Sequence, residues 1–227
     1  EVVPAASSGV VVPLVVAEPD GKGGRRVQVV EPMLGGTGAR FGRDGIDARD
    51  SGISNLANNP VETVEAEIGV EVLRYAVRPD SGGPGKWRGG CGLEISFRVL
   101  HDGTQVLGRG MERMKFRPWG VRGGGPGERT EFVLNPGRNG ERRFGKIDVL
   151  PVDRNDIVTM RIAGAGGYGD PAERDPAAVL RDVERGGLDP AIVEHQSLAL
   201  AVFQEELAVV GAGEGAVDQA LQALGIQ

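Results

Sequence analysis

"RPDSGGPGKWRGGCGLEISFRV" runs from Arg78 to Val99 and joins two kinds of chain. Its first fifteen residues hold six glycines, two prolines, one acid and three bases. A flexible linker combines glycine with serine and carries little charge. A stretch with Arg78, Asp80, Lys86, Trp87 and Arg88 among its glycines reads instead as an ordered loop. In the last seven residues Leu93, Ile95, Phe97 and Val99 alternate with Glu94, Ser96 and Arg98, the period of a half-buried strand. Ordered glycine loop, then strand, is the unit from which the body of the chain is built.

Working outward, similar β-type runs lie at "GVVVPLVV", "RRVQVVEPML", "VEVLRYAV", "RTEFVLN" and "DIVTMRIA". The 38 glycines among 227 residues are about twice the usual share and follow no collagen-like period, which predicts frequent, tight turns; in the Arg78–Gly92 loop they also let the backbone approach another segment closely. One short helix is predicted at Pro60 to Ile68, with proline in the first turn. After Gly169 the character changes. Asp175 as N-cap, Pro176 at the first helical position, an apolar face of Val179, Leu180 and Val183, and a stop at Gly186 predict a helix. Further helical pattern follows at 190–210 and 215–224. The fold class is therefore α+β: a glycine-rich, mainly β body over residues 1–170 and a mainly helical C-terminal segment of the same domain over 171–227.

Charge and composition exclude several classes. A net charge of -6 gives no general attraction to phosphate backbones, so nucleic acid is not an expected partner. No apolar run approaches the roughly 20 residues that cross a bilayer. The single Cys91 excludes an intrachain disulfide framework, and the widely separated His101 and His195 offer no zinc spacing, so no metal is expected on this chain. A cytoplasmic protein is the simplest expectation. "GAGGYG" (Gly164 to Gly169) matches GxGxxG, yet the next helix starts only at Pro176, too late to sit under a pyrophosphate. "GGTGARFG" (Gly35 to Gly42) is followed by Asp44 and Asp47, which repel phosphate. Ser81 in "DSGG" and Cys91 lack an evident histidine partner, so neither reads as a nucleophile.

The polar clusters leave two readings open. Arg40, Asp44, Asp47, Asn55, Asn59, Glu62 and Glu65 are candidates for lining a polar substrate channel. Alternatively the Asp and Asn side chains close turns, and Glu62 and Glu65 sit on the first turn of a helix where the macrodipole favours them. Arg78, Asp80, Ser81, Arg88 and Trp119 are candidates for ordering the loops or for an interface, with Arg78, Asp80 and Arg88 expected to cross-link the glycine loop. Trp119 reads as a plug over the core rather than a stacking platform. Arg117 and Arg122 pair with acids or face a partner subunit.

Together the stretch from Gly35 to Glu94, "RPWGVRGGGPGE" and "AGAGGYGDPAERDPAAVLRDVERGGL" resemble the C-terminal part of the hydantoinase B/oxoprolinase family, from about Ala5 to Leu188. The family includes N-methylhydantoinases, 5-oxoprolinases, caprolactamase and the acetone and acetophenone carboxylases. The resemblance implies part of a B-type subunit of an ATP-dependent enzyme that hydrolyses a cyclic amide (hydantoin, 5-oxoproline or lactam) with an A-type ATPase partner. A noncatalytic scaffold fragment of a ketone carboxylase is the alternative. It further implies a hydantoinase A-like subunit that phosphorylates the substrate, a hetero-oligomer, a small-molecule substrate, and ATP and a divalent metal held elsewhere in the complex. Family metal ligands lie on an N-terminal half that this sequence does not contain, and that half is an expected partner. The chain is expected to begin where an intact subunit would continue.

Overall fold

The computed structural model describes residues 3–9, 12–50, 56–108 and 112–189. The C-terminal helices expected at 190–210 and 215–224 lie outside the described residues, as do Asn55 and His195. The first sheet has the order β2-β1-β5-β8, and the second β3-β4-β9-β6-β7; all pairings are antiparallel. The strands are β1 (Val12–Pro19), β2 (Arg25–Met33), β3 (Val70–Val77), β4 (Leu93–Val99) and β5 (Thr104–Gly108), then β6 (Glu131–Leu134), β7 (Arg142–Phe144), β8 (Leu150–Val152) and β9 (Ile157–Arg161). Helix α1 is Val61–Glu67 and α2 is Pro176–Glu184. The α+β class and every strand expected above are present. Only the short β5, β7 and β8 were not foreseen.

One core joins the sheets. Leu14, Val16, Val30 and Val106 from the first pack with Ile95, Phe97, Phe132 and Met160 from the second, and Val64 and Ile68 of the α1 region close the cluster. Strand β4 departs from the half-buried expectation. It lies between β3 and β9, and Ser96 on its other face is buried too, satisfied by the Thr159 hydroxyl at 2.8 Å. Its remaining polar residues are charged and paired: Glu94 binds Arg161 at 2.9 Å and Arg74 at 3.3 Å. Helix α2 starts as its sequence predicts, with the Asp175 carboxylate accepting the Ala177 N–H at 3.0 Å and Gly186 at φ 70° ending it.

Turns take some of the glycine excess, and, as expected for the Arg78–Gly92 loop, many of the glycines lie close against other backbone segments. Gly166 donates to Ala6 at 2.8 Å and accepts from Ala39 at 3.0 Å; Gly90 donates to Thr37 at 3.0 Å and accepts from Ala165 at 2.9 Å. Each residue thus bonds to two different segments, the connectivity of a bundle rather than a ladder. The backbones approach so closely that a Cβ on Gly166 would fall 2.0 Å from the Trp119 carbonyl oxygen, and one on Gly90 2.1 Å from that of Ile46. Only glycine permits this spacing.

Candidate functional site

Five charged side chains meet where the bundle touches α2. Arg88 follows Trp87 in the opening loop, and its guanidinium is brought inward by that loop's hydrogen bonds. It donates to both oxygens of Asp47, at 3.0 and 3.2 Å, and stands 3.3 Å from Asp182 on α2. Arg174 forms a two-pronged contact with Asp44, at 2.8 and 2.9 Å, and donates to Asp182 at 2.6 Å. Asp44 also accepts the Arg88 N–H, and Asp47 accepts the Cys91 N–H, both at 2.7 Å. Arg88 is 7% exposed and Asp182 8%, so these charges depend on one another rather than on water.

The electrostatics are those of a closed knot. Burial alone would lower the Arg88 pKa, but its hydrogen bonds to Asp47 and the neighbouring negative groups outweigh it and hold the guanidinium more firmly charged. Burial would raise the Asp44 carboxyl; hydrogen bonds from Arg174 and the Arg88 N–H reverse this and hold it below the usual range. Cys91 touches Arg88 at 3.2 Å, yet burial pushes its thiol up, so it stays protonated and inert. The knot clamps α2 to the glycine bundle, and no activated nucleophile results.

Several expected site residues are drawn into structural contacts. Asp44 and Asp47 belong to the knot. Asn59 donates to the Val29 and Val30 carbonyls at 3.0 and 3.2 Å, fastening the entry of α1 to β2. Glu62 is exposed in the first turn of α1, whereas Glu65 sits beyond that turn and accepts the Val72 N–H at 2.7 Å. Ser81 is fully buried, donating to the Arg78 carbonyl and accepting the Gly92 N–H. The expected cross-link among Arg78, Asp80 and Arg88 does not form. Arg78 donates to the Arg129 carbonyl at 2.7 Å, and Asp80, at φ 57°, accepts the Asp189 N–H. Arg88 finds its acids 41 and 94 positions away instead. Trp119 is not a core plug: it is 60% exposed, with the Arg113 guanidinium 5.0 Å above its ring. Cys91 is buried just ahead of β4.

A second feature is a surface one. At one end of the bundle the Trp87 ring lies 5.0 Å from Phe41 and 5.6 Å from Tyr168. Phe41 is 65% exposed at the tip of a reverse turn closed by reciprocal Arg40 and Arg43 backbone bonds. Val121 bridges to Tyr168, and Arg122, the next residue in the chain, is exposed. Arg40 was expected; Phe41 and Tyr168 were not, because isolated residues among glycines carry no period, nor were Arg174 and Asp182, whose partners Asp44 and Arg88 lie far away in sequence. A third feature, also unforeseen, is the buried Glu18, which accepts from His101 at 2.7 Å, from the Gly69 N–H at 2.9 Å and from Arg26. Among the described residues no three of His, Cys, Asp and Glu converge as metal ligands, and no helix is long and apolar enough to cross a membrane.

Comparison with known proteins gives the following. The hydantoinase B/oxoprolinase family matches residues 1–171. An uncharacterized protein of Methanocaldococcus jannaschii is 38% identical over 183 residues, covering 80% of this chain and 31% of the relative. The caprolactamase subunit beta of Pseudomonas jessenii is 29% identical over 180 residues, covering 74% of this chain and 30% of the relative. The nucleotide-free structure of acetone carboxylase, from work on ATP-dependent acetone carboxylation, superposes with a TM-score of 0.69 at 17% identity, covering 96% of this chain and 35% of that one. That likeness is one of fold. The chain spans about a third of the length of these relatives.

Proposed function

The chain belongs to the hydantoinase B/oxoprolinase family, and we propose that it forms part of a B-type subunit of an ATP-dependent enzyme that hydrolyses a cyclic amide. The observation that carries the reading is the family match over residues 1–171, and the caprolactamase relative supports a lactam-like substrate. On this reading a hydantoinase A-type subunit transfers a phosphoryl group to the amide oxygen. Water then adds at the amide carbon and the C–N bond breaks, giving the free amine and an acyl phosphate, which a second water hydrolyses to the carboxylate and inorganic phosphate.

The described residues take a structural share in this. The Arg88 knot is internally compensated, Cys91 is a neutral thiol, and the described acids and histidines do not form a ligand set that fits a divalent metal. No step is therefore assigned to a metal on this chain. Its glycine bundle and two sheets are a rigid wall of the reaction chamber, and the reacting groups, ATP and metal lie on the other parts of a cytoplasmic hetero-oligomer.

Co-expression with an A-type subunit and the remainder of a B-type subunit tests the proposal. Phosphate release that requires hydantoin, 5-oxoproline or caprolactam is the expected result. Release that requires bicarbonate with acetone or acetophenone instead would assign the chain to a ketone carboxylase scaffold.

A further inference from the structure

We propose that the aromatic end of the glycine bundle is a docking surface for an acidic polypeptide carrying an apolar anchor. On the reading above, that polypeptide belongs to the A-type subunit. The surface is built from Phe41, Trp87 and Tyr168, ringed by Arg40, Arg43 and Arg122. Its backbone is tied down: Trp87 and Tyr168 exchange hydrogen bonds at 3.0 and 2.9 Å, and Gly169 donates to Val121 at 3.0 Å. The rings are therefore held in place before a partner arrives, which limits the ordering cost of association.

Two independent observations point to an occupant. First, Phe41 leans on Trp87 at 5.0 Å between ring centroids yet remains 65% exposed, so a large part of its apolar surface is left to solvent. Second, the charge is one-sided. Lys86 is neutralised by Glu173 at 2.9 Å, and the Asp170 carboxylate caps the Ala172 N–H, but among the described residues Arg40, Arg43 and Arg122 have no acidic partner. Three guanidinium groups without an acidic partner among the described residues, set against the single carboxylate of Asp170, leave an excess of positive charge on a chain of net charge -6. Arg122 also holds φ 56°, a left-handed conformation that a non-glycine residue keeps only where the surroundings impose it. Aromatic residues and arginine are the residue types that dominate binding energy at protein interfaces, and carboxylates on the partner complete the charge.

The test uses the full chain and a co-expressed A-type subunit, with affinity measured by titration calorimetry at low and high salt. Variants are the triple reversal Arg40→Glu/Arg43→Glu/Arg122→Glu, the single Phe41→Ser, and the control Arg138→Glu on the exposed β6–β7 turn. Melting of each variant confirms folding; Phe41→Ser, at an open tip, keeps the test valid if the triple reversal does not fold. The expected result is roughly tenfold or greater weakening for the reversal at low salt, narrowing at high salt, with weakening for Phe41→Ser at both and no change for the control. Undiminished binding by both patch variants overturns the proposal and leaves the proposed function standing. Failure of the wild-type chain to bind the A-type subunit overturns that function, and with it the partner named here. Binding of a single-stranded oligonucleotide that the reversal abolishes would reassign the surface to nucleic acid and overturn the proposal.

Discussion

Replacing Arg88 by Met keeps the volume and apolar stem of the side chain while deleting its charge, so the knot is tested without opening a cavity. The substitution removes both contacts to Asp47, at 3.0 and 3.2 Å, the approach to Asp182 at 3.3 Å and a bond to the Gly89 carbonyl at 2.8 Å. What remains is three carboxylates, Asp44, Asp47 and Asp182, facing one guanidinium, Arg174. Removing one partner of a buried ion pair costs about 3–5 kcal/mol. Asp182 retains Arg174 at 2.6 Å, and Asp47 is open enough to be rehydrated, so the lower end, about 3 kcal/mol, is expected. Arg88→Lys keeps the charge but has no planar fork to span both Asp47 oxygens, and falls between, at about 1–2 kcal/mol. Urea unfolding followed by tryptophan fluorescence reads both, since Trp87 adjoins the substituted position. A loss below about 1 kcal/mol for Arg88→Met would refute the claim that this ion cluster holds α2 to the bundle.

Asp80→Ala, by contrast, leaves the Arg88 contacts to Asp47 and Asp182 in place and gives up the Asp189 N–H acceptor and a residue type tolerant of φ 57°; about 1 kcal/mol is expected in the same assay, and Asp80→Gly should recover the conformational part. Gly166→Ala drives a Cβ to 2.0 Å from the Trp119 carbonyl and should cost about 2 kcal/mol or more, while Gly145→Ala, with nothing within 4 Å, should be neutral within about 0.5 kcal/mol; paired melts decide this. Burial would raise the Glu18 carboxyl, but hydrogen bonds from His101, Arg26 and the Gly69 N–H hold it below its ordinary value. Its stabilisation is therefore fully present above the unfolded value of about 4.3 and is lost as pH falls through the lower folded value, so Glu18→Gln should be less stable than wild type at neutral pH and converge with it in acid. Lys86→Ala deletes the exposed pair with Glu173 and a 5.5 Å approach to the Trp87 ring, and should change stability by no more than about 0.5 kcal/mol.

The features legible from sequence are those written in neighbouring residues. The alternation from Leu93 to Val99 announced β4, and Asp175, Pro176 and Gly186 announced both ends of α2, because strand period and helix capping depend on residues a few positions apart. The order of glycine motifs also carried the family resemblance. That Arg88 would be an ordering residue was legible too, but not its partners: Asp80, eight positions before it, was the plausible acid, and Asp47 and Asp182 are the actual ones. The glycines were readable as turns and as places where a backbone comes close, but the segment that each one meets was not. Which of them are backbone contacts was decided by the tertiary structure alone, since glycine has no side chain to advertise its neighbour. The same holds for Trp119, exposed rather than plugged, and for the gathering of Phe41, Trp87 and Tyr168 from three loops. Local periodicity constrains a residue against its own segment. The partner of a buried charge, or of a hydrogen-bonding backbone without a Cβ, is chosen by which segments the sheets and core bring within about 3 Å of one another.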